Sequence, residues 1–362
     1  MICCVCCQLF LTLLFFLLYK KELLRLIDLC PFLASEKSAY DDAAVLNLLT
    51  YHPTAANKRH SYRCGIGTAT SKAYPLALVV ALGGSIDVVK RMINACPMAL
   101  NEKLSGRRNV LHYAIAEGVD ISIIQYLTSC NPSLVKEVDS FHAIPLHLAS
   151  TYYPTSSIDV IRHLLQLYPH GAGCLDNKSQ TPLHRACRSR ASLDKIQCLI
   201  EAYPYAIFKQ DWVKSTPLEY AESMHQRLSE PCPEIVTVLG MVEELMTMGS
   251  KCHVAQKNLP CPWHENDNGR RILKKELVTD RAKQILTHFQ AKHWQGGIRL
   301  AFKSNIQLIS LLNLPKSLYP RLLSLLLGDG DGNDNNKVEA AYSMLVHFPH
   351  VLSAGGMHHT ND

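Results

Sequence analysis

The sequence predicts an all-α protein, a helix-turn-helix solenoid followed by a C-terminal helical module. Three observations carry this prediction. The pattern Thr181-Pro182-Leu183-His184-Arg185-Ala186 recurs along the chain. An apolar-periodic segment ending in Pro follows each of the first four copies. The copies are separated by steps of 35, 35, 37 and 35 residues, and self-similarity at a fixed period of this size marks a repeat architecture.

Within one unit the physics is legible. Thr181 can cap the helix that Pro182 opens, because a Pro at the first helical position gives up an N–H that had no partner. Leu183 and Ala186 lie three apart on one face, and Ala186 is small where two helices must approach. In the second helix Ile196, Leu199 and Ile200 recur at helical spacing as a buried stripe. Pro204 marks the exit from that helix. A helix pair this short cannot bury its apolar face alone, so it must stack on copies of itself.

The other copies are Asn109-Val110-Leu111-His112-Tyr113-Ala114 and Ile144-Pro145-Leu146-His147-Leu148-Ala149, with weaker ones at Tyr74-Pro75-Leu76 and Thr216-Pro217-Leu218. Ile86–Pro97, Ile121–Pro132, Ile158–Pro169 and Leu193–Pro204 supply the second helices. On these residues the chain resembles the ankyrin-repeat family over about residues 72–248. The resemblance implies a binding surface on a concave face, built from the fingers between units and the outer side of the first helices. It also implies that His112, His147 and His184 support turns through hydrogen bonds. Two departures stand out. The family's Gly between the helices is present as Gly83-Gly84 and Gly118 but absent from the third and fourth units, and Pro-containing exits such as Tyr203-Pro204 replace its Gly-Ala-Asp.

The finger segments are Leu104–Asn109, Ser140–Ala143, Asn177–Gln180 and Val213–Ser215. They contribute Arg107, Arg108, His142, Lys178 and Lys214, and the first helix of the fourth unit adds Arg185, Arg188 and Arg190. Aligned, these residues form a basic groove suited to a protein partner with acidic side chains, since Arg pairs carboxylates bidentately. An ordinary solvated face is the competing reading. Trp212 is the candidate aromatic anchor, either exposed near a fingertip or packed between units.

Flanking the repeats, residues 1–21 are an apolar N-terminal segment, 22–71 degenerate capping helices with a loop, and 249–362 the C-terminal module. Ile2 to Leu18 would form a helix about 25 Å long, just short of the ~30 Å hydrocarbon core. Three readings stay open for it: a signal anchor leaving the repeats on the Lys20-Lys21 side in the cytosol, a cleaved signal peptide, or a buried first helix. The two extra residues of the third step fall in Thr151–Ser157, expected as an inserted loop. Ile235 to Met248 is expected as a capping helix, and Asn268 to His293 as a longer amphipathic one.

Composition narrows function. The net charge of +6 is mild and leans toward acidic partners without calling for nucleic acid. Fourteen cysteines without framework spacing read as a reducing, cytoplasmic setting. Cys252, His253, Cys261 and His264 contain no Cys-x-x-Cys knuckle, and Asp329, Asp331 and Asn333 begin like a calcium loop but lack its Gly and bidentate Glu. No nucleophile–base pair, carboxylate dyad or phosphate loop emerges. The expectation is a non-enzymatic scaffold with no cofactor, no metal and no small-molecule substrate. The alternatives are a membrane-anchored adaptor held by residues 2–18, and an enzyme or metal site within residues 250–362.

Overall fold

A computed structural model describes residues 22–29, 38–60, 72–151, 157–227, 233–254, 281–289 and 291–304. Regular structure among them is helical, apart from a single backbone bridge between His60 and Ala73. The chain divides into two compact units, Met1–Met224 and His225–Asp362.

In the first unit a short helix, α1 (Asp42–Tyr51), precedes four helix pairs. The pairs are α2 (Pro75–Leu82) with α3 (Ile86–Ala95), α4 (Val110–Ala116) with α5 (Ile121–Cys130), α6 (Pro145–Ala149) with α7 (Ile158–Leu167), and α8 (Pro182–Arg188) with α9 (Leu193–Ala202). A further first helix, α10 (Pro217–Arg227), follows. Each pair packs on itself and on its neighbours, so that α2, α4, α6 and α8 form one row and α1, α3, α5, α7 and α9 another. This is a helical repeat protein.

Local sequence explains the pairs. Pro starts α2, α6, α8 and α10. The second helices have their own recurring caps: Asp41, Ser85, Asp120 and Ser157 accept a first-turn N–H with their side-chain oxygen. Leu183, Ala186, Ile196, Leu199 and Ile200 are all buried, as their spacing predicts. The exit prolines do more than end a helix. Pro53, Pro97, Pro132, Pro169 and Pro204 each open a short 3-10 turn whose small or apolar residues, such as Ala99, Leu134, Ala172 and Ala206, return to the core. Residues 42–56 share this helix-plus-turn form.

The missing glycines have a partial answer. Gly83 and Gly118 end their helices at φ of 89° and 64°. In the fourth pair Arg190 takes the same left-handed backbone, at φ 61°. Arg190 therefore belongs to the turn between α8 and α9 rather than to the first helix.

In the second unit, α11 (Pro233–Val254) is longer than the expected 235–248. It packs against α13 (Gln295–Ser304), and between them in sequence lies α12, residues 281–289. Arg281 reaches Glu244 and Lys292 reaches Glu234. Among the described residues no helix is long and apolar enough to cross a membrane. The N-terminal apolar segment, most of the 151–157 insertion, the Cys261 and His264 pair, the acidic 328–336 segment and the first part of the 268–293 helix lie outside the described residues.

Candidate functional site

The fingers are built around an aspartate that recurs at the repeat period, at Asp139, Asp176 and Asp211. In these three fingers one carboxylate oxygen accepts two backbone N–H groups of its own turn. Asp139 Oδ1 accepts from Phe141 (2.8 Å) and Ala143 (3.0 Å). Asp176 Oδ1 accepts from Lys178 (2.8 Å) and Gln180 (2.9 Å). Asp211 Oδ1 accepts from Val213 (3.0 Å) and Ser215 (3.1 Å). A backbone bond of 3.0 Å closes the base of each turn, from the Asp N–H to the carbonyl four residues on.

This clamp holds the turn's left-handed residue without glycine. His142, Ser179 and Lys214 have φ of 55°, 56° and 68°. The first finger lacks the aspartate. There Leu104 N–H bonds Arg108 C=O at 2.8 Å, and Gly106 and Arg107 both take positive φ. Adjacent fingers are tied tip to tip by one backbone bond each: Ser140 N–H to Gly106 C=O (2.7 Å), Asn177 to Phe141 (2.9 Å) and Trp212 to Lys178 (3.0 Å).

The histidines support the fingers from behind, as the resemblance implied. His147 is fully buried. Its Nδ1 accepts from Ile144 N–H at 3.3 Å, and its Nε2 donates to Gln180 C=O, the base of the next finger, at 3.1 Å. His112 reaches Ala143 C=O at 3.0 Å and His184 reaches Ser215 C=O at 3.3 Å in the same way. Because a carbonyl only accepts, Nε2 carries the proton. Burial then disfavours the imidazolium and holds both His112 and His147 down to about 4. The final copy has Glu219 in place of His, and that carboxylate accepts from Thr216 N–H at 2.9 Å while Thr216 Oγ1 accepts from Glu219 N–H at 3.3 Å.

The cations predicted to face a partner divide into two sets. Arg185 turns inward. Its Nε and Nη2 donate to Asp176 Oδ2 at 2.9 and 2.6 Å, and the Asp176 side chain is 0% exposed. Burial alone would raise the Asp176 pKa, but its backbone and Arg185 partners outweigh that and lower it. Arg185 is therefore a structural element of the finger, a role that its position on the first helix did not reveal. Arg108 is half-buried and lies 3.7 Å from Asp139 Oδ2. By contrast Arg107, His142, Lys178, Arg188, Arg190 and Lys214 are exposed. Trp212 is 66% exposed rather than packed between units, and it shares the fingertips with exposed Phe141 and Val213.

A groove runs between two of these fingers and α8, lined by Phe141, Thr151, Asn177, Lys178, Arg188 and Ser189. Its floor is the neutralised Asp176–Arg185 pair. Among the described residues no cluster of His, Cys, Asp or Glu has the arrangement of a metal site.

No family model matches the chain, and no curated protein matches it. Among solved structures, the chain is similar to one in the structure of the Bd0816 predatory endopeptidase from Bdellovibrio bacteriovorus in complex with immunity protein Bd3460. Identity is 16%, the match covers 55% of this chain and 91% of that chain, and the TM-score is 0.43. A likeness at that level bears on neither activity nor partner.

Proposed function

We propose that the protein is a non-enzymatic scaffold, an ankyrin-type solenoid that binds another protein across its fingers and first helices. The observation that supports this most directly is the contrast within the Asp-built fingers. The backbone is held by the Asp clamp, the base bond and the tip-to-tip bond, while side chains at the tips are exposed. Phe141, Trp212 and Val213 are 53%, 66% and 55% exposed on a rigid support. Exposed aromatic side chains beside cations on a hydrogen-bonded backbone are what recognition surfaces use, because the backbone has little conformational freedom left to lose on binding. The polar groups behind the face, Asp176, Arg185 and the buried histidines, are engaged in holding the turns.

The test is affinity capture from a native lysate with the full chain, followed by affinity measurement on the captured protein. A variant combining Phe141→Ala and Trp212→Ala should keep its melting temperature within a few degrees and bind the captured protein about a hundredfold more weakly. Equal binding by a folded variant would remove the fingers from the reading.

A further inference from the structure

We propose that the partner segment seated along the fingers is an acidic chain in an extended, left-handed polyproline-type conformation, with a carboxylate at every third residue and its apolar side chains packed on Phe141. This assignment rests on the scaffold reading above and specifies the chemistry of the ligand. Four observations lead to it.

The first is charge. Apart from the aspartates that open three of them, the four fingers contain no Asp or Glu, and they present Arg107, His142, Lys178 and Lys214 at the tips. The three finger aspartates face inward and are consumed by their own turns. The groove beside α8 adds exposed Arg188, and its sole carboxylate, Asp176, is already paired with Arg185. An incoming carboxylate therefore meets an excess of positive charge.

The second is spacing. The exposed cationic or imidazole side chains come one per finger, and the first helices of successive units pack side by side. Packed helix axes lie about 8–10 Å apart. A polyproline-type chain returns a side chain to the same face every three residues, after about 9 Å. One carboxylate per unit follows. A β-strand would place every third side chain on the opposite face.

The third is the absence of a backbone cradle. In the Asp-built fingers, the N–H groups of Phe141, Ala143, Lys178, Gln180, Val213 and Ser215 all bond carboxylates. Those of Ser140, Asn177 and Trp212 bond the neighbouring finger. Phosphate sites commonly draw on such N–H groups, and none of these is left to donate. Carboxylates read singly by long side chains fit better.

The fourth is the apolar interleaving. Phe141 stands in the groove wall, and Trp212 and Val213 stand two fingers on, beyond Lys178. They sit beside His142 and Lys214 on either side of the Lys178 finger, and suit a chain that combines acidic with apolar residues. A polynucleotide would be served by a continuous basic track instead.

Fluorescence anisotropy with the full chain tests this. The probe is a labelled peptide repeating Glu-Leu-Pro four times. Its comparators replace Glu by Gln, Lys or phosphoserine, and a uridine oligonucleotide serves as the nucleic-acid arm. The Glu peptide should bind about tenfold more tightly than the Gln peptide, within the scale that two exposed ion pairs support. A variant combining Lys178→Glu and Arg188→Glu, checked for an unchanged melting temperature, should prefer the Lys peptide instead.

Equal binding of the Glu and Gln peptides, or an unchanged preference in the variant, overturns the assignment. Tighter binding of the phosphoserine peptide or the oligonucleotide overturns it as well. In any of those cases, a captured protein that still depends on Phe141 and Trp212 leaves the scaffold reading standing. Failure of that reading would show instead as indifference to both aromatic residues.

Discussion

Two kinds of turn alternate along the repeats, and both need a residue with left-handed backbone. Between the helices of a pair the chain uses glycine, Gly83 at φ 89° and Gly118 at φ 64°. In the fingers it uses Arg107, His142, Ser179 and Lys214. An L-residue there carries a cost of roughly 1–2 kcal/mol. In three fingers the Asp clamp offsets it, with two side-chain bonds and a closed base. The consequence is functional. A glycine presents backbone only, whereas a clamped turn carries a side chain at its left-handed position, exposed in His142 and Lys214. Arg190 is the informative exception, since it takes the glycine role at φ 61° without an aspartate clamp.

The comparison breaks most severely at Asp176. Replacing it with Ala removes the acceptor of two N–H groups and strands the half-buried Arg185 guanidinium. A loss of about 3–5 kcal/mol is expected, read as a fall in the denaturant midpoint. Asp176→Asn keeps an oxygen for the turn and should lose less. Equal losses would mean that the two turn bonds contribute nothing beyond the Arg185 pair.

Next comes the support from behind. His147→Ala removes two buried hydrogen bonds and leaves a cavity, which costs about 2–4 kcal/mol. The histidines also set a pH window. In the unfolded chain imidazole titrates near 6.5, while in the fold His112 and His147 are held down to about 4. Below pH of about 6.5 the unfolded state binds protons that the folded state refuses. Stability is therefore full above that pH and falls as pH drops toward 4, by about 2 kcal/mol per histidine at pH 5. Denaturant midpoints at pH 7.5 and pH 5 measure this, and the decline should be shallower in the His147 variant.

A smaller effect, of opposite sign, sharpens the contrast between the turns. Arg190→Gly should raise stability by up to about 1 kcal/mol, because Gly relieves the left-handed strain that no carboxylate offsets there. A loss of stability would show that the Arg190 side chain makes a compensating contact. The smallest effect is expected at Arg108, half-buried and 3.7 Å from Asp139. Arg108→Ala should change the melting temperature by no more than a degree or two, since loose, solvent-screened pairs contribute little.

Much of the fold was legible because it is local and repeated. Pro at helix starts, buried residues three and four apart, and His at one position per unit are patterns that a linear reading detects. The finger aspartates recur with the same steps of 37 and 35 residues. They escaped a reading tuned to helices because a lone acid in a polar loop looks like solvent-facing charge. The first finger, built on Leu104 and Gly106, also breaks the series.

The sequence by itself determined where the helices begin, which faces they bury, and that the units must stack, since those outcomes follow from residue type and spacing along the chain. Only the tertiary structure decided which cations face outward. Arg185 and Arg188 lie one turn apart on α8, yet one closes on an aspartate nine residues upstream and the other stays exposed. That division depends on a turn folding back over a helix. Charge pairing is set by distances of a few ångströms between atoms that the chain brings together only after the units have packed.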